Sequence, residues 1–276
     1  MSLQNVIVIM SKEICDAKRN KWFVIISILF ALLSVSLSLL GLSGLGTFGI
    51  SGFGRTAASL LNLVLLIVPL MGLLLGAMSV AGEREQGTLV TLLAQPVTVN
   101  EIFLGKYVGA GVALTSTVLL GFGISGLIIA KYAGVDEISN YLVLVIFTIL
   151  LALTYLSLGF CISIFARRHA TAIGFALFFW FAFIFLSDLG LIGTAMVLKL
   201  SSHQLLWLVL INPAQSFKLA VMSQLQGSLE TFGTAGIYAS EIFGNWFSLF
   251  LVAVMLGWIL VPLLAALFYF RTRCMD

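Results

Sequence analysis

The chain is organised as long runs of apolar residues separated by short clusters of charge. A helix needs about 20 apolar residues to cross roughly 30 Å of hydrocarbon, and a spanning segment must satisfy its own backbone polar groups. The charge-free intervals therefore predict six membrane-spanning helices, within Trp22–Gly54, Thr56–Gly82, Tyr107–Ala130, Ile138–Ala166, His169–Ser187 and Ile242–Phe270. The first interval is too long for one span, so its glycine-rich end, Gly41–Gly54, is predicted to be a loop.

A seventh interval, Leu200–Phe217, is apolar but interrupted by polar residues. Its unbroken apolar core, Leu205–Ile211, is far too short to cross a membrane. We expect an extramembrane or interfacial helix pair that rests on the outer ends of the spans. Asn212-Pro213 would end the first helix and start the second, since Pro is tolerated in a first helical turn. Trp207 is expected at the membrane interface, as in aromatic belts.

The distribution of basic residues favours six spans with both termini in the cytoplasm. With that topology the cytoplasmic side holds Lys12, Lys18, Arg19, Lys21, Arg84, Lys106, Arg167, Arg168, Arg271 and Arg273. The outer side holds only Arg55, Lys131, Lys199 and Lys218. A seventh span would place Arg271 and Arg273 outside and reduce this bias.

Composition excludes several classes of protein. Of the 276 residues 61% are hydrophobic and 9% charged, whereas soluble domains have about 45–50% apolar and about 25% charged residues. A soluble enzyme, a nucleic-acid binder and a disordered protein are excluded. The sequence predicts an all-α membrane protein with one transmembrane domain over residues 1–276 and no removable signal peptide.

Three segments outside the spans have their own patterns. Residues 1–21 contain Leu3–Arg19, in which apolar residues at helical spacing predict an amphipathic helix on the inner membrane surface, with basic residues near anionic headgroups.

Residues 83–106 form a cytoplasmic segment in which Leu89, Leu92 and Leu93 share one helix face and Pro96 ends the helix. Such a helix is suited to the groove of a partner protein, although a plain connecting loop with a surface helix is equally compatible. Residues 189–241 form a long outer segment, a length uncommon without function.

The cytoplasmic segment resembles the signature that follows the second span of ABC-2 type permeases. The residues that carry the resemblance are Glu83-Arg84-Glu85, Gly87-Thr88-Leu89, Leu92-Leu93, Pro96, Glu101-Ile102 and Gly105-Lys106. Val90 departs from the acidic residue expected at its position. The resemblance implies that an ATPase contact is made by Glu83, Arg84, Glu85, Gln86, Gly87, Thr88, Leu89, Leu92, Leu93 and Pro96.

The resemblance also implies partners and a location. Two copies of this chain would assemble with two cytoplasmic ATPase subunits in a bacterial inner membrane, and ATP and Mg would bind the ATPases. The sequence agrees, because it contains no G-x-x-x-x-G-K-[ST] phosphate loop. Within the family the whole chain is most similar to membrane subunits of the transporters that mature the copper–sulfur centre of nitrous oxide reductase. A sulfur species would be the cargo; copper as cargo, export of another substrate, and force transmission to an outer partner remain alternatives.

That similarity implies a periplasmic accessory protein, which would dock on the outer segment. Its polar candidates for contact are Gln204, Gln215, Lys218, Gln224 and Gln226. A lid that serves only the permease is an alternative for this segment. The sequence identifies no substrate-binding residues.

Other chemistry is disfavoured by context. No metal is expected on this chain, because Met71 and Met78 have no His or Cys near them in sequence, and His169 and His203 are predicted on opposite sides of the membrane. A membrane enzyme would need H-E-x-x-H or a framed nucleophile, and neither occurs. An ion-coupled transporter would need ionisable residues inside the spans, and only Asp188 approaches that position.

Four glycine motifs are predicted to serve helix packing or loops rather than nucleotide binding. Gly44–Gly49 and Gly121–Gly126 match G-x-G-x-x-G but lack the strand that a dinucleotide site requires. Gly72-xxx-Gly76 and Gly105-xxx-Gly109 fit close helix contacts between small residues.

Overall fold

The computed structural model describes residues 2–43, 52–133, 136–190, 193, 201–224 and 246–275. Within these ranges the chain is helical and contains no strand. Six of the described helices are long and apolar enough to cross a membrane: Lys21–Gly41, Thr56–Glu85, Val99–Lys131, Ile138–Phe165, His169–Gly190 and Phe247–Thr272. The prediction of six spanning helices is confirmed.

The described helices, numbered here in chain order, are α1 Leu3–Arg19, α2 Lys21–Ser43, α3 Gly52–Glu85, α4 Thr88–Leu93, α5 Val99–Ala133, α6 Asp136–Phe165, α7 His169–Phe181, α8 Ser202–Leu210, α9 Pro213–Gln224 and α10 Phe247–Met275. A π-helical turn, Ala182–Leu186, continues α7. The predicted loop Gly41–Gly54 is helical at both ends, since α2 runs to Ser43 and α3 begins at Gly52; its centre, with the first glycine motif, lies outside the described residues.

The two small-residue motifs of the spans make the predicted helix contacts. A Cβ on Gly76 would lie 2.6 Å from the carbonyl oxygen of Leu156 on α6, and a Cβ on Gly159 would lie 2.6 Å from that of Leu73 on α3. A Cβ on Gly105 would lie 2.8 Å from Cβ of Ile9, and one on Gly109 would lie 2.7 Å from Cβ of Glu13. Glycine thus allows α3 to pack backbone to backbone on α6, and α5 to pack directly on α1.

Helices α3 and α6 form the centre of the bundle, and α2, α7 and α10 lie at its outside. An aromatic cluster joins α5, α6 and α10, with ring centroids of Phe103 and Phe160 5.9 Å apart and those of Phe103 and Phe270 5.8 Å apart. Near this end of α10, Arg271 donates to Asn100 Oδ1 at 2.7 Å. The end of α10 therefore lies beside the start of α5, at the same end of the bundle as α1.

Helices α8 and α9 form a hairpin with an angle of 113° between them. Its tip is Asn212-Pro213, as predicted, with Pro213 in the first turn of α9. Asn212 Nδ2 donates to the Phe183 carbonyl at 2.7 Å, and Trp258 Nε1 donates to the Leu210 carbonyl at 3.1 Å. Trp258 lies 11 residues beyond Phe247, the first residue of α10, which corresponds to about 16 Å of helix.

The prediction that this pair rests on the outer ends of the spans is therefore wrong. Its tip inserts beside α6, α7 and α10, and Ala214, Phe217 and Ala220 of α9 are at most 2% exposed. Irregular backbone at that depth is tolerated because protein donors satisfy its carbonyl groups.

Candidate functional site

Charged side chains from three helices meet at the end of the bundle that carries α1. We call the group formed by Glu13, Glu83, Arg84, Glu85 and Lys106 the charged junction. Glu13 belongs to α1, Lys106 to α5, and the three consecutive residues Glu83, Arg84 and Glu85 end α3. Two further helices, α6 and α7, contribute backbone groups.

Lys106 is the centre of the junction and is only 1% exposed. Its Nζ lies 2.5 Å from Glu13 Oε1 and 2.9 Å from Glu83 Oε2, and it also donates to the Ser79 carbonyl at 3.3 Å. A buried ammonium is tolerated when it is paired and hydrogen-bonded in this way. One cation thus links α1, α3 and α5.

Lys12 extends the junction toward solvent. Its Nζ forms an ion pair with Glu83 and lies 3.5 Å from Asp16 Oδ2. Burial raises the pKa of Glu13, and the nearby Lys106 ammonium opposes that shift. The pKa of Lys12 is raised because the favourable effect of its hydrogen bond to Glu83 and of the surrounding carboxylates exceeds the opposing effect of burial.

Arg84 and Glu85 cap two further helices. Arg84 Nη1 donates to the carbonyls of Ile164 and Ala166 at 3.0 and 2.9 Å, where α6 has carbonyls without an intrahelical donor. Glu85 Oε2 accepts from the backbone N–H of His169, the first residue of α7, at 2.6 Å. A carboxylate suits the positive end of a helix. The Glu83-Arg84-Glu85 run therefore binds four neighbouring helices, α1, α5, α6 and α7.

Gly87 turns the chain from α3 into α4. Its φ of 73° lies in the left-handed region that favours glycine, and Thr88 Oγ1 donates to the Glu83 carbonyl at 3.3 Å. Leu89 is 5% exposed, whereas Val90 is 72% exposed.

The remaining residues predicted for an ATPase contact divide between two faces. Leu92 and Leu93 are partly buried against the core, beside the buried Leu89, whereas Gln86, Thr88 and Pro96 are exposed. The leucine face of α4 thus packs on this chain itself, and the outward face is the one that carries Val90. Pro96 follows the last helical residue, Leu93, as the sequence predicts.

Glu101 anchors the start of α1, a role that helical spacing alone does not predict. Its carboxylate accepts from the Ser2 N–H at 2.5 Å, from Asn5 Nδ2 at 3.2 Å and from the Thr98 N–H at 3.0 Å. The Glu101 N–H donates in turn to Thr98 Oγ1 at 3.4 Å. Thr98-x-x-Glu101 forms a capping box, and this four-residue pattern is visible in the sequence. It begins α5 at Val99, before the predicted start at Tyr107.

An open cavity of about 440 Å³ lies against the junction. Its lining includes Lys12, Asp16 and Asn20 from the α1 side and Gln86 and His169 from the other side. Among the described residues no group of three or more His, Cys, Asp or Glu side chains is placed to hold a metal ion. The junction therefore offers no metal site among these residues. Its ion pairs and helix caps join several helices, and such an arrangement is suited to moving them together.

The other end of the bundle contains a second polar cluster, at the hairpin. Lys218 Nζ lies 2.9 Å from Asp188 Oδ2, and Gln215 donates to the same carboxylate. Gln215 is 3% exposed. Gln215, predicted as a contact for an outer partner, is thus buried within this chain, with its amide bound to Asp188, which follows the π-helical turn.

The other residues predicted to contact an outer partner are less enclosed. Lys218 remains partly exposed, and Gln204 is exposed and forms a capping box with Ser201 at the start of α8. Trp207 is 53% exposed, and its indole donates to His203 Nε2 at 3.0 Å. The side chain of Gln224 and the whole of Gln226 lie outside the described part of the structure.

These features define a multi-pass helical membrane protein with a short surface helix, α4, between its second and third spans. Residues 7–275 match the family described as ABC-2 family transporter protein. The chain belongs to this family, and it is a permease subunit rather than the ATPase.

Two curated relatives match most of the chain. The probable ABC transporter permease protein NosY of Stutzerimonas stutzeri is 34% identical over 268 residues, covering 95% of this chain and 96% of the relative. The probable ABC transporter permease protein NosY of Pseudomonas aeruginosa is 37% identical over 220 residues, covering 77% and 79%. The probable multidrug ABC transporter permease YbhR of Escherichia coli K12 is 42% identical over only 65 residues, 23% of this chain and 18% of the relative.

Proposed function

We propose that α4 is the contact through which a cytoplasmic ATPase drives this permease. The observation that carries the proposal is the position of α4, one glycine turn beyond three residues that bind α1, α5, α6 and α7. Val90 projects outward while Leu89 packs inward. A displacement of α4 by the ATPase would therefore act on several helices through the charged junction, and packed helices respond by moving between discrete arrangements.

The orientation follows from the basic residues. Lys18, Arg19, Lys21, Arg167 and Arg168 all lie at the α1 end. By the positive-inside rule this end would be cytoplasmic. The proposed location is a bacterial inner membrane, with the ATPase on its cytoplasmic side and a separate compartment on its outer side. Two copies of this chain would assemble with two ATPases, which hold the ATP and Mg.

The finer role we propose is assembly of the copper–sulfur centre of nitrous oxide reductase. The support is the whole-chain resemblance described above, together with the two NosY relatives that match most of its length. A sulfur species is the proposed cargo. The second candidate is force transmission to an outer accessory protein, which the exposed residues of α8 favour because His203, Gln204 and Trp207 offer it a surface at the end opposite the junction.

The ATPase contact is tested by co-purification. Val90→Arg places a positive charge on the exposed face of α4, opposite to the acidic residue that the family resemblance leads us to expect there. It should abolish capture of the ATPase while the permease keeps its thermal stability. Thr272→Arg, an exposed position at the same end of the bundle, is the matched control and should retain the ATPase. Normal capture and ATP turnover with Val90→Arg would refute the contact.

The finer role is tested in cells that lack this permease. Restoring the chain should restore copper and sulfide to the copper–sulfur centre of the reductase, whereas the Val90→Arg variant should not. A fully loaded centre without the permease would exclude the assembly role and leave the ATPase contact standing.

A further inference from the structure

Tyr155 is a fully buried tyrosine near the centre of the bundle. It is 0% exposed, and its hydroxyl has no hydrogen-bond partner among the described residues. An unpaired hydroxyl in such a place is costly and calls for an explanation. Tyr141, on the same helix and 4% exposed, shows the usual arrangement, because its hydroxyl donates to the Phe122 carbonyl at 2.6 Å.

The aromatic neighbour of Tyr155 is part of the π-helical turn that continues α7. The rings of Tyr155 and Phe183 meet edge to face with centroids 6.1 Å apart, and Phe183 lies within the turn Ala182–Leu186. Such turns insert one extra residue into a helix and frequently occur at functional positions. The Phe183 carbonyl is the acceptor for the Asn212 amide at the hairpin tip.

The backbone around Tyr155 leaves it little freedom. A Cβ on Gly72 would lie only 3.1 Å from Cβ of Tyr155, so the close contact between α3 and α6 fixes the base of the side chain. The partner for the hydroxyl must therefore come to Tyr155. The π-helical turn is the nearby element with an alternative hydrogen-bonding pattern, since it can revert to a regular α-helix.

We propose that Tyr155 and Asn212 compete for the Phe183 carbonyl in two arrangements of α7 and the hairpin. In the arrangement described here Asn212 donates to the carbonyl and the Tyr155 hydroxyl is unpaired. In the second arrangement the π-helical turn shifts, the hairpin tip releases the carbonyl, and the Tyr155 hydroxyl donates to it. Exchange between two packed arrangements of this kind is how helical proteins switch.

The exchange can be followed through Cys161, a native cysteine that lines the same groove as Phe183. The Phe183 side chain lines this apolar groove of about 340 Å³ between α6 and α7, together with Cys161. A shift of the turn would withdraw the Phe183 ring from the groove, so the second arrangement should make Cys161 more reactive toward a small thiol reagent.

The experiment measures labelling of Cys161 by N-ethylmaleimide in membranes, with the full chain and with Cys15 and Cys274 replaced by serine. Asn212→Ser removes the amide donor but retains a good N-cap for α9, and it should raise the labelling rate about fivefold, the effect of one hydrogen bond. Tyr155→Phe should lower the rate, and the double variant should return it close to the starting value.

Thermal stability provides the second measurement. Tyr155→Phe should leave the melting temperature unchanged or raise it, because the hydroxyl has no partner in the arrangement described here. Tyr141→Phe, the matched control, should lower the melting temperature without changing Cys161 labelling. An equal loss of stability in the two variants, or labelling rates that respond to neither Asn212→Ser nor Tyr155→Phe, would overturn the proposal. Neither measurement involves an ATPase, so a failure here would not bear on the proposed ATPase contact.

Discussion

The side chains of Lys106 on α5 and Glu13 on α1 meet at 2.5 Å between Nζ and Oε1, in an ion pair that is almost wholly enclosed. The pair lies directly beside the close approach of α5 to α1 at Gly109. The ion pair and the close backbone contact therefore hold α1 at one position along α5. The N-terminal helix is part of the bundle and not only a membrane-surface anchor.

Lys106→Met should destabilise the protein strongly. It removes the buried cation from Glu13 and Glu83 and leaves them only the more exposed Lys12, and breaking a buried pair costs about 3–5 kcal/mol. The measurement is thermal or denaturant unfolding of the purified chain in lipid nanodiscs. Lys18→Met, which removes an exposed cation from the same end of the bundle, should change stability little. Equal effects of the two substitutions would show that the junction contributes no more than a surface charge.

Gly76→Ala should disturb the contact between α3 and α6. The added methyl would lie 2.6 Å from the Leu156 carbonyl oxygen, and overpacking of this kind costs about 1–3 kcal/mol. Gly257→Ala is the matched control, because its methyl would meet nothing within 4 Å among the described residues, and alanine is the better helix former by about 1 kcal/mol. Melting temperatures should therefore move in opposite directions. A lower value for both variants would contradict the packing argument.

Glu13→Gln should alter the pH dependence of stability. Burial raises the pKa of Glu13, so above the ordinary range of a glutamate the native state keeps a proton that the unfolded chain has lost. Stability contributed by this group is therefore present at low pH and lost as pH rises through the raised pKa. The Glu13→Gln variant lacks this loss, so its melting temperature should gain on that of the original chain as pH increases from about 4. A constant difference at every pH would contradict the sign.

Cysteine labelling in intact cells tests the orientation of the bundle. Cys15, which is exposed, should react only with reagents that reach the cytoplasm, and so should Cys274. A cysteine replacing Ser202, the first residue of α8, should react with an impermeant reagent from outside. Labelling of Cys274 from outside would show that the α8–α9 hairpin crosses the membrane as a seventh span.

The six spans can be predicted from the sequence because each is a charge-free run long enough to cross a membrane. This property depends only on consecutive residues and on no distant contact. The break at Asn212-Pro213 and the contacts of Gly76 and Gly109 also follow from short motifs. Helix α5 begins at Val99, ahead of the apolar run that predicts the span. The charged residues Glu101 and Lys106 are helical here because groups of α1 and α3 bind their charges.

The depth of the hairpin does not follow from the sequence. Asn212, Gln215 and Lys218 are polar residues in one short segment, and such residues are usually exposed. Their partners, Phe183 and Asp188, lie about 30 residues earlier in the chain. The charged junction could not be predicted from the sequence for the same reason. Glu13 and Lys106 are 93 positions apart, and no spacing rule relates them.

The three consecutive charges at the end of α3 hold this helix end at several separate points. Successive side chains on a helix point about 100° apart, so Glu83, Arg84 and Glu85 hold α3 from nearly all sides. The helix end can neither rotate about its axis nor slide along it without breaking one of these contacts. If an ATPase moved α4, the displacement would therefore act on α1, α5, α6 and α7 together, because all four are bound to the same end of α3.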